Sequence, residues 1–304
     1  MNDIVLQQLV DQADLSDSLL ADIMEKRKQR LQANMQHDPA IRLAPPGYET
    51  PFPEIWKDAV AILAQGKNLL LKGPTGSGKT KLAETLSYFF GQQLYSVNCS
   101  VDLDAEALLG FKTLVQKDGQ TVIDFVPGPV IRAMREGQLL YVDEINMAKA
   151  ETLPILNSVL DYRRQLTNPF TGETIYASEG FGVIAAMNEG YIGTLPLNEA
   201  LKNRFVILDI PYLQGERLKK LLLNQSLQKD ESVIERFVRL SSDLMTQAET
   251  GQIAEEAVSI RALLDACDLS LHIPPLRAIE RSIAGKMDDD REKAAVMNIA
   301  ETLF

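Results

Sequence analysis

Gly73-Pro74-Thr75-Gly76-Ser77-Gly78-Lys79-Thr80 fits the pattern G-x-x-x-x-G-K-[ST], and its flanks are those of a phosphate-binding loop. Asn68-Leu69-Leu70-Leu71 leads in as a short buried strand, and residues 81–90 lead out as an amphipathic helix stopped by Gly91. The glycines let the backbone turn tightly, so that successive N–H groups point inward at phosphate oxygens. The helix N-terminus adds a potential that favours an anion. In such a loop Lys79 reaches the outer phosphates and the Thr80 hydroxyl binds Mg²⁺. The alternative, an incidental glycine-rich turn, does not account for the strand before it and the helix after it.

Four further short apolar runs, 94–99, 139–143, 182–188 and 205–210, read as strands with few solvent-facing alternations. With the loop's own strand they predict a five-stranded parallel sheet covered on both faces, because helical segments separate them. Two insertions break the alternation. Residues 112–125 read as a hairpin turning at Asp118-Gly119, and 165–176 as a second around Asn168-Pro169-Phe170-Thr171-Gly172. After Pro211 the strands cease, and five helical segments (216–227, 231–246, 257–271, 276–284 and one reaching Leu303) predict a small all-helical lid domain. Before the sheet, residues 1–36 read as two helices, with Ser16 as an N-cap, and Ala44-Pro45-Pro46-Gly47 opens a stiff connector. Trp56, on a helix over 54–64, reads as a packing residue. The expected division is a helical extension and linker at 1–46, the α/β nucleotide-binding domain at 47–210, and the lid at 211–304.

The 304 residues are 45% hydrophobic and 24% charged, proportions ordinary for a globular protein. No apolar run reaches the length of a membrane span, and the acidic N-terminus is no secretion signal. Cys99 and Cys267 lack metal-ligand spacing and read as core filler in a reducing compartment, so a cytoplasmic location is expected. A net charge of −11 argues against long tracts of nucleic-acid contact, which need a basic surface. The one dense basic cluster, Lys26-Arg27-Lys28-Gln29-Arg30, reads as a solvated helix face.

Further chemistry gathers where strands end, the usual place for ligands in such sheets. Leu139-Leu140-Tyr141-Val142-Asp143-Glu144 is a strand tipped by two carboxylates. Asp143 is placed to hold the Mg²⁺ shell and Glu144 to polarise an attacking water. Asn188 ends the next strand, where a neutral amide can hold that water without competing for the metal. Arg204, at a helix–strand junction, reads as an arginine finger for a nucleotide held by an adjacent subunit. Ser259-Ile260-Arg261 opens a helix in the last domain. A cation in a first turn opposes the helix dipole, which hints that Arg261 serves the γ-phosphate.

Taken together, GPTGSGKT, LLYVDEIN, AAMNEGYIGTLPLNEALKNRF, SIRALLDAC and VPGPVIRAMREGQ resemble the AAA+ ATPases, and within them the MoxR group in its CbbQ/NirQ/NorQ branch. The resemblance runs from about Gly47 to the last helix. It implies that Gly73 to Thr80 is Walker A, that Asp143 and Glu144 are Walker B, and that Asn188 is sensor 1. Arg204 is then the finger and Arg261 sensor 2, with ATP and Mg²⁺ as ligands. It also implies a homo-oligomeric ring, usually hexameric, a von Willebrand factor A-domain partner, and a client protein that is remodelled or activated. Met147, where many relatives have arginine, and Glu189, where proline is frequent, depart from the pattern. A nucleic-acid motor, a nucleotide-gated assembly switch and a metal chelatase subunit remain as alternatives at this stage.

Overall fold

The computed structural model describes residues 2–37, 52–99, 103–117, 120–188 and 197–304. Most of the proline-rich connector, the Asp118-Gly119 turn and the stretch after Asn188 therefore lie outside the described residues. The chain divides into two units. The first takes in the described residues up to Lys72, from Lys79 to Asn188 and from Leu197 to Asp209; the second takes in Gly73–Gly78 and Ile210–Phe304.

In chain order the first unit runs α1 (Asn2–Ala13), α2 (Asp17–His37), α3 (Pro53–Ala64), β1 (Asn68–Gly73), α4 (Lys79–Phe90) and β2 (Leu94–Asn98). It continues with α5 (Ala105–Leu109), β3 (Gly110–Lys117), β4 (Gln120–Pro127), α6 (Pro129–Glu136) and β5 (Leu139–Asp143). Then come α7 (Leu153–Leu160), β6 (Gln165–Thr167), β7 (Thr174–Tyr176), β8 (Gly182–Asn188), α8 (Glu199–Lys202) and β9 (Phe205–Asp209).

Five strands form one sheet in the order β2-β5-β8-β1-β9, with β2–β5, β5–β8 and β1–β9 paired in parallel. This is the expected α/β architecture. The strand leading to the phosphate-binding loop is separated from the strand tipped by Asp143 by β8, which ends in Asn188. The central strands are apolar and closed to solvent, with Leu69, Leu70, Leu71, Leu140, Ile184 and Ala185 all fully buried. The expectation of cover on both faces fails for the outer strands: Ser96 and Asn98 of β2, and Val206 and Asp209 of β9, are exposed. Each outer strand has one neighbour only, and polar positions keep these edges wet.

Both insertions are antiparallel hairpins. The first is longer than the sequence indicated, pairing Gly110 with Pro127 through to Lys117 with Gln120. Gly110 sits at φ 109°, where the Val126 carbonyl leaves no space for a side chain, so the closely approached base requires glycine. Leu114 and Ile123 face each other across this hairpin and are 68% and 71% exposed.

The N-terminal helices dock on the back of the nucleotide-binding core. Trp56 is buried, stacks edge-on against Phe89 of α4 at 5.2 Å, and donates its indole N–H to the Leu9 carbonyl at 2.9 Å. The basic cluster of α2 is only partly solvated. Lys26 pairs with Asp22 at 3.0 Å in solvent, whereas Arg27 is buried and donates to the carbonyls of Tyr88 and Phe89. Arg30 reaches the Phe90 carbonyl at 3.2 Å and Gln92 Oε1 at 3.3 Å. The Tyr88, Phe89 and Phe90 carbonyls belong to the last turn of α4, where a cation is favoured by the helix dipole. Charge counting along α2 could not reveal that acceptor.

The second unit carries α9 (Gly215–Gln225), α10 (Glu231–Glu249), α11 (Ile260–Leu269), α12 (Pro275–Ser282) and α13 (Asp290–Leu303). Asp230 and Asp289 cap α10 and α13 through their side chains. Phe237 is the buried centre of α10, with Phe304 4.9 Å away. Among the described residues no helix is long and apolar enough to cross a membrane.

Candidate functional site

In the first unit, α4 begins at Lys79, so the lysine and Thr80 stand at the N-terminus of a three-turn helix. Lys79 is 7% exposed, and burial pulls its ammonium down to about 8 against the opposing fields of Asp143 and Glu144. Those two carboxylates end β5 and begin the turn beyond it. Asp143 Oδ1 accepts from the Glu144 amide at 3.0 Å, and the Glu144 carbonyl accepts from Met147 N at 2.7 Å. Glu144 itself sits at φ 52°, in the left-handed region that non-glycine residues avoid. Such backbone strain concentrates where a side chain must be aimed. Asn188 Nδ2 lies 3.5 Å from Glu144 Oε1, so the amide at the tip of β8 meets the carboxylate beyond β5.

Tyr141, which the motif reading passed over, belongs to this cluster. It is two residues before Asp143 on the same strand, hence on the same face. Its hydroxyl is 3.1 Å from Thr80 Oγ1 and also hydrogen-bonds Asp143. Burial is the main cause of a phenol held well above its ordinary value. The polar tip of an aromatic residue in an otherwise aliphatic strand was the available signal.

Arg204 is not in this cluster. It directly precedes β9, whose Phe205 pairs with Asn68 at the start of β1, so it lies at the amino ends of these strands. Asp143 and Asn188 lie at the carboxyl ends, a strand length of roughly 16 Å away for five residues. The Arg204 guanidinium donates back to the Ala200 carbonyl within α8, and its own carbonyl accepts from Asn68 Nδ2 at 3.0 Å. That local partner was invisible in the sequence. Asn68 also donates to the Leu160 carbonyl at 3.0 Å and accepts from Arg164, which spans to the Gly66 and Phe181 carbonyls. Arg204 lines an open cleft with Lys67, Tyr162 and Arg164.

In the second unit, Gly76 and Gly78 adopt φ 77° and 92°, which the tight turn demands. A Cβ on Gly76 would come 2.6 Å from Ser259 Oγ and 3.3 Å from Ile260 N, so the loop runs against the start of α11. Ser259 occupies the N-cap position of α11, yet its side chain makes no capping bond. Arg261 follows in the first turn. Ser77 Oγ is buried with no hydrogen-bond partner among the described residues. An orphaned buried hydroxyl in a glycine-rich loop fits a site that receives a polar ligand.

The sheet order, the glycine-rich loop opening a helix, and the acidic strand tip one strand removed define a P-loop nucleotide-binding protein of the α/β class. The chain belongs to the AAA domain family, dynein-related subfamily, whose model matches residues 68–205. It is therefore an ATPase. It is 68% identical over 258 residues to the uncharacterized protein YojN of Bacillus subtilis (strain 168), covering 85% of each chain. It is 57% identical over 258 residues to the uncharacterized protein SAOUHSC_01413 of Staphylococcus aureus (strain NCTC 8325 / PS 47), covering 84% of this chain and 98% of that one. Among solved structures, NtrX from Brucella abortus in complex with ADP is 14% identical with a TM-score of 0.45, covering 90% of this chain and 72% of that one. Nothing is carried over from so distant an overlap.

Proposed function

We propose that this ATPase is of the MoxR type, in the CbbQ/NirQ/NorQ branch, and that it works in the cytoplasm as a ring of copies, hexameric by family resemblance. It remodels or activates a client protein, with a von Willebrand factor A-domain protein as partner. Each catalytic site is completed by Arg204 of a neighbouring copy. The observation that carries this reading is the position of Arg204, a strand length from the Asp143–Glu144–Asn188 cluster of its own unit and open to solvent in a cleft.

The roles follow from chemistry and placement. The backbone of Gly73 to Thr80 receives the phosphates, with Pro74, Thr75, Gly76, Ser77 and Gly78 forming the turn, and Lys79 holds the outer phosphates as a cation. Thr80 and Asp143 offer a hydroxyl and a carboxylate, hard oxygen donors that suit Mg²⁺. Among the described residues no cluster of three or more His, Cys, Asp or Glu side chains could hold a metal unaided. A cation held partly by phosphate oxygens, the habit of Mg²⁺, fits such a sparse set. When bound, Mg²⁺ would neutralise charge on the phosphates. Glu144 accepts the proton of the attacking water, and the Asn188 amide fixes the carboxylate and that water. Arg261, at the start of the helix that meets the loop, answers the γ-phosphate.

The test is complementation at the seam. Glu144→Gln should bind ATP and barely hydrolyse it, and Arg204→Ala should bind and lose turnover. Mixing these two inactive proteins should restore partial activity, since an Arg204→Ala protomer keeps its own Glu144 and borrows an arginine from its Glu144→Gln neighbour. Arg204→Ala protein that hydrolyses ATP normally when assembled defeats the shared-site reading.

A further inference from the structure

Two hydroxyls and one carboxylate form a chain in the first unit: Thr80 Oγ1 is 3.1 Å from the Tyr141 hydroxyl, which in turn hydrogen-bonds Asp143. Distance alone leaves the direction open, but chemistry fixes it. An ionised carboxylate only accepts, so the phenol must spend its single proton on Asp143. The phenol oxygen then accepts, and Thr80 donates. With its proton committed to Tyr141, Thr80 Oγ1 keeps its lone pairs for another ligand.

We propose that Tyr141 is a positioning residue for the metal: it fixes the rotor of Thr80, orients Asp143, and so presets two oxygen donors for one divalent cation. The residue acts through its neighbours and touches neither nucleotide nor metal. Its ring is 2% exposed on the central β5, where packing on both faces leaves it little freedom, while Thr80 is exposed at the start of α4. A rigid buried donor thus holds a surface hydroxyl that would otherwise rotate. Outer partners of this kind orient ligands and raise metal affinity. The inference rests on the reading of Thr80 and Asp143 as metal donors.

The test is equilibrium binding, with turnover left out. A fluorescent ADP analogue is titrated into the full-length protein in EDTA and then at rising MgCl₂, and the Mg²⁺ concentration giving half of the affinity gain is read. Tyr141→Phe keeps the ring and removes one oxygen. It should leave the EDTA affinity unchanged and raise the half-effect Mg²⁺ concentration by about tenfold or more. Thr80→Ala should raise it too, and adding Tyr141→Phe to Thr80→Ala should shift it by clearly less than in the wild type.

An unchanged Mg²⁺ requirement in Tyr141→Phe overturns the inference while leaving the donor reading intact. So does an equal loss of affinity with and without Mg²⁺, which marks a merely structural tyrosine. If Thr80→Ala and Asp143→Asn both keep the wild-type Mg²⁺ response, the donor reading falls and the inference goes with it.

Discussion

Replacing Arg27 by methionine tests whether the N-terminal helices are part of the nucleotide-binding core. The substitution keeps an aliphatic stem of similar reach and deletes the guanidinium, which is buried to 8% exposure over the end of α4. Lost with it are the charged donors to the Tyr88 and Phe89 carbonyls and a cation–π contact 4.9 Å from the Tyr88 ring. A hydrogen bond from a charged group contributes about 1.5–3 kcal/mol, and a cation at a partly buried helix end up to about 2 kcal/mol. Against these stands the desolvation that methionine escapes, the same burial that lowers the arginine's pKa. A net loss of about 2 kcal/mol is expected, or roughly 4 °C in Tm at about 2 °C per kcal/mol for a large domain. The assay is thermal unfolding by far-UV circular dichroism, with Lys28→Met, exposed on the same helix, as control. Nucleotide affinity should stay within about twofold, because Lys79 lies a helix length of roughly 18 Å from the capped end. A Tm loss no larger than that of Lys28→Met would refute the capping argument.

Lys79 and Asn68 give two more expectations. On the proposed role of Lys79 as the phosphate-holding cation, with its ammonium held at about 8 by burial, the Kd for ADP should rise as pH climbs through that value, by up to about tenfold per pH unit; a Kd flat to about pH 9.5 would remove the lysine from the contact. Between about 8 and 10.5 the unfolded lysine keeps a proton that the folded one has released, so stability of the unliganded protein from this group rises with pH across that window and its penalty is full below it. Asn68→Ala should cost about 2–3 kcal/mol in urea unfolding, since it strands the Leu160 and Arg204 carbonyls and the Arg164 guanidinium in a buried site. If Arg204 has the proposed role, Asn68→Ala should also lower turnover beyond the effect of stability by loosening the Arg204 backbone, and normal turnover per folded molecule would separate Asn68 from that role.

What was legible in the sequence was what local chemistry dictates. Gly73 to Thr80 announces itself because a tight anion-binding turn admits few residues, and Asp143-Glu144 because carboxylates at a strand tip that follows a phosphate-binding loop are what its metal would need. The five sheet strands were readable as apolar runs, and Trp56 as a packing residue from its place on an amphipathic helix. What stayed hidden spans long separations along the chain. Tyr141 meets Thr80, Arg27 meets Tyr88, and Asn68 meets Arg204, and no periodicity or spacing encodes such pairings. Glu144 at φ 52° was equally out of reach, because a strained backbone leaves no mark on residue type unless glycine relieves it.

The two ends of the sheet differ in what they leave unfinished. At the carboxyl end, the Lys79 ammonium lies in the fields of Asp143 and Glu144, Thr80 meets the Tyr141 hydroxyl at 3.1 Å, and Asn188 comes within 3.5 Å of Glu144. At the amino end, Arg204 is anchored at its backbone by the buried Asn68, while its guanidinium caps a four-residue helix and borders solvent. A purely local cap on so short a helix would gain little from such anchoring, since a flexible lysine meets a carbonyl as well. Fixing the backbone of a half-buried arginine is useful when its fork must meet a planar or tetrahedral anion at a set angle. Such anchoring, in a cleft that Arg204 shares with Lys67, Arg164 and Asp161, fits the proposal that this guanidinium serves the carboxyl-end site of a neighbouring copy.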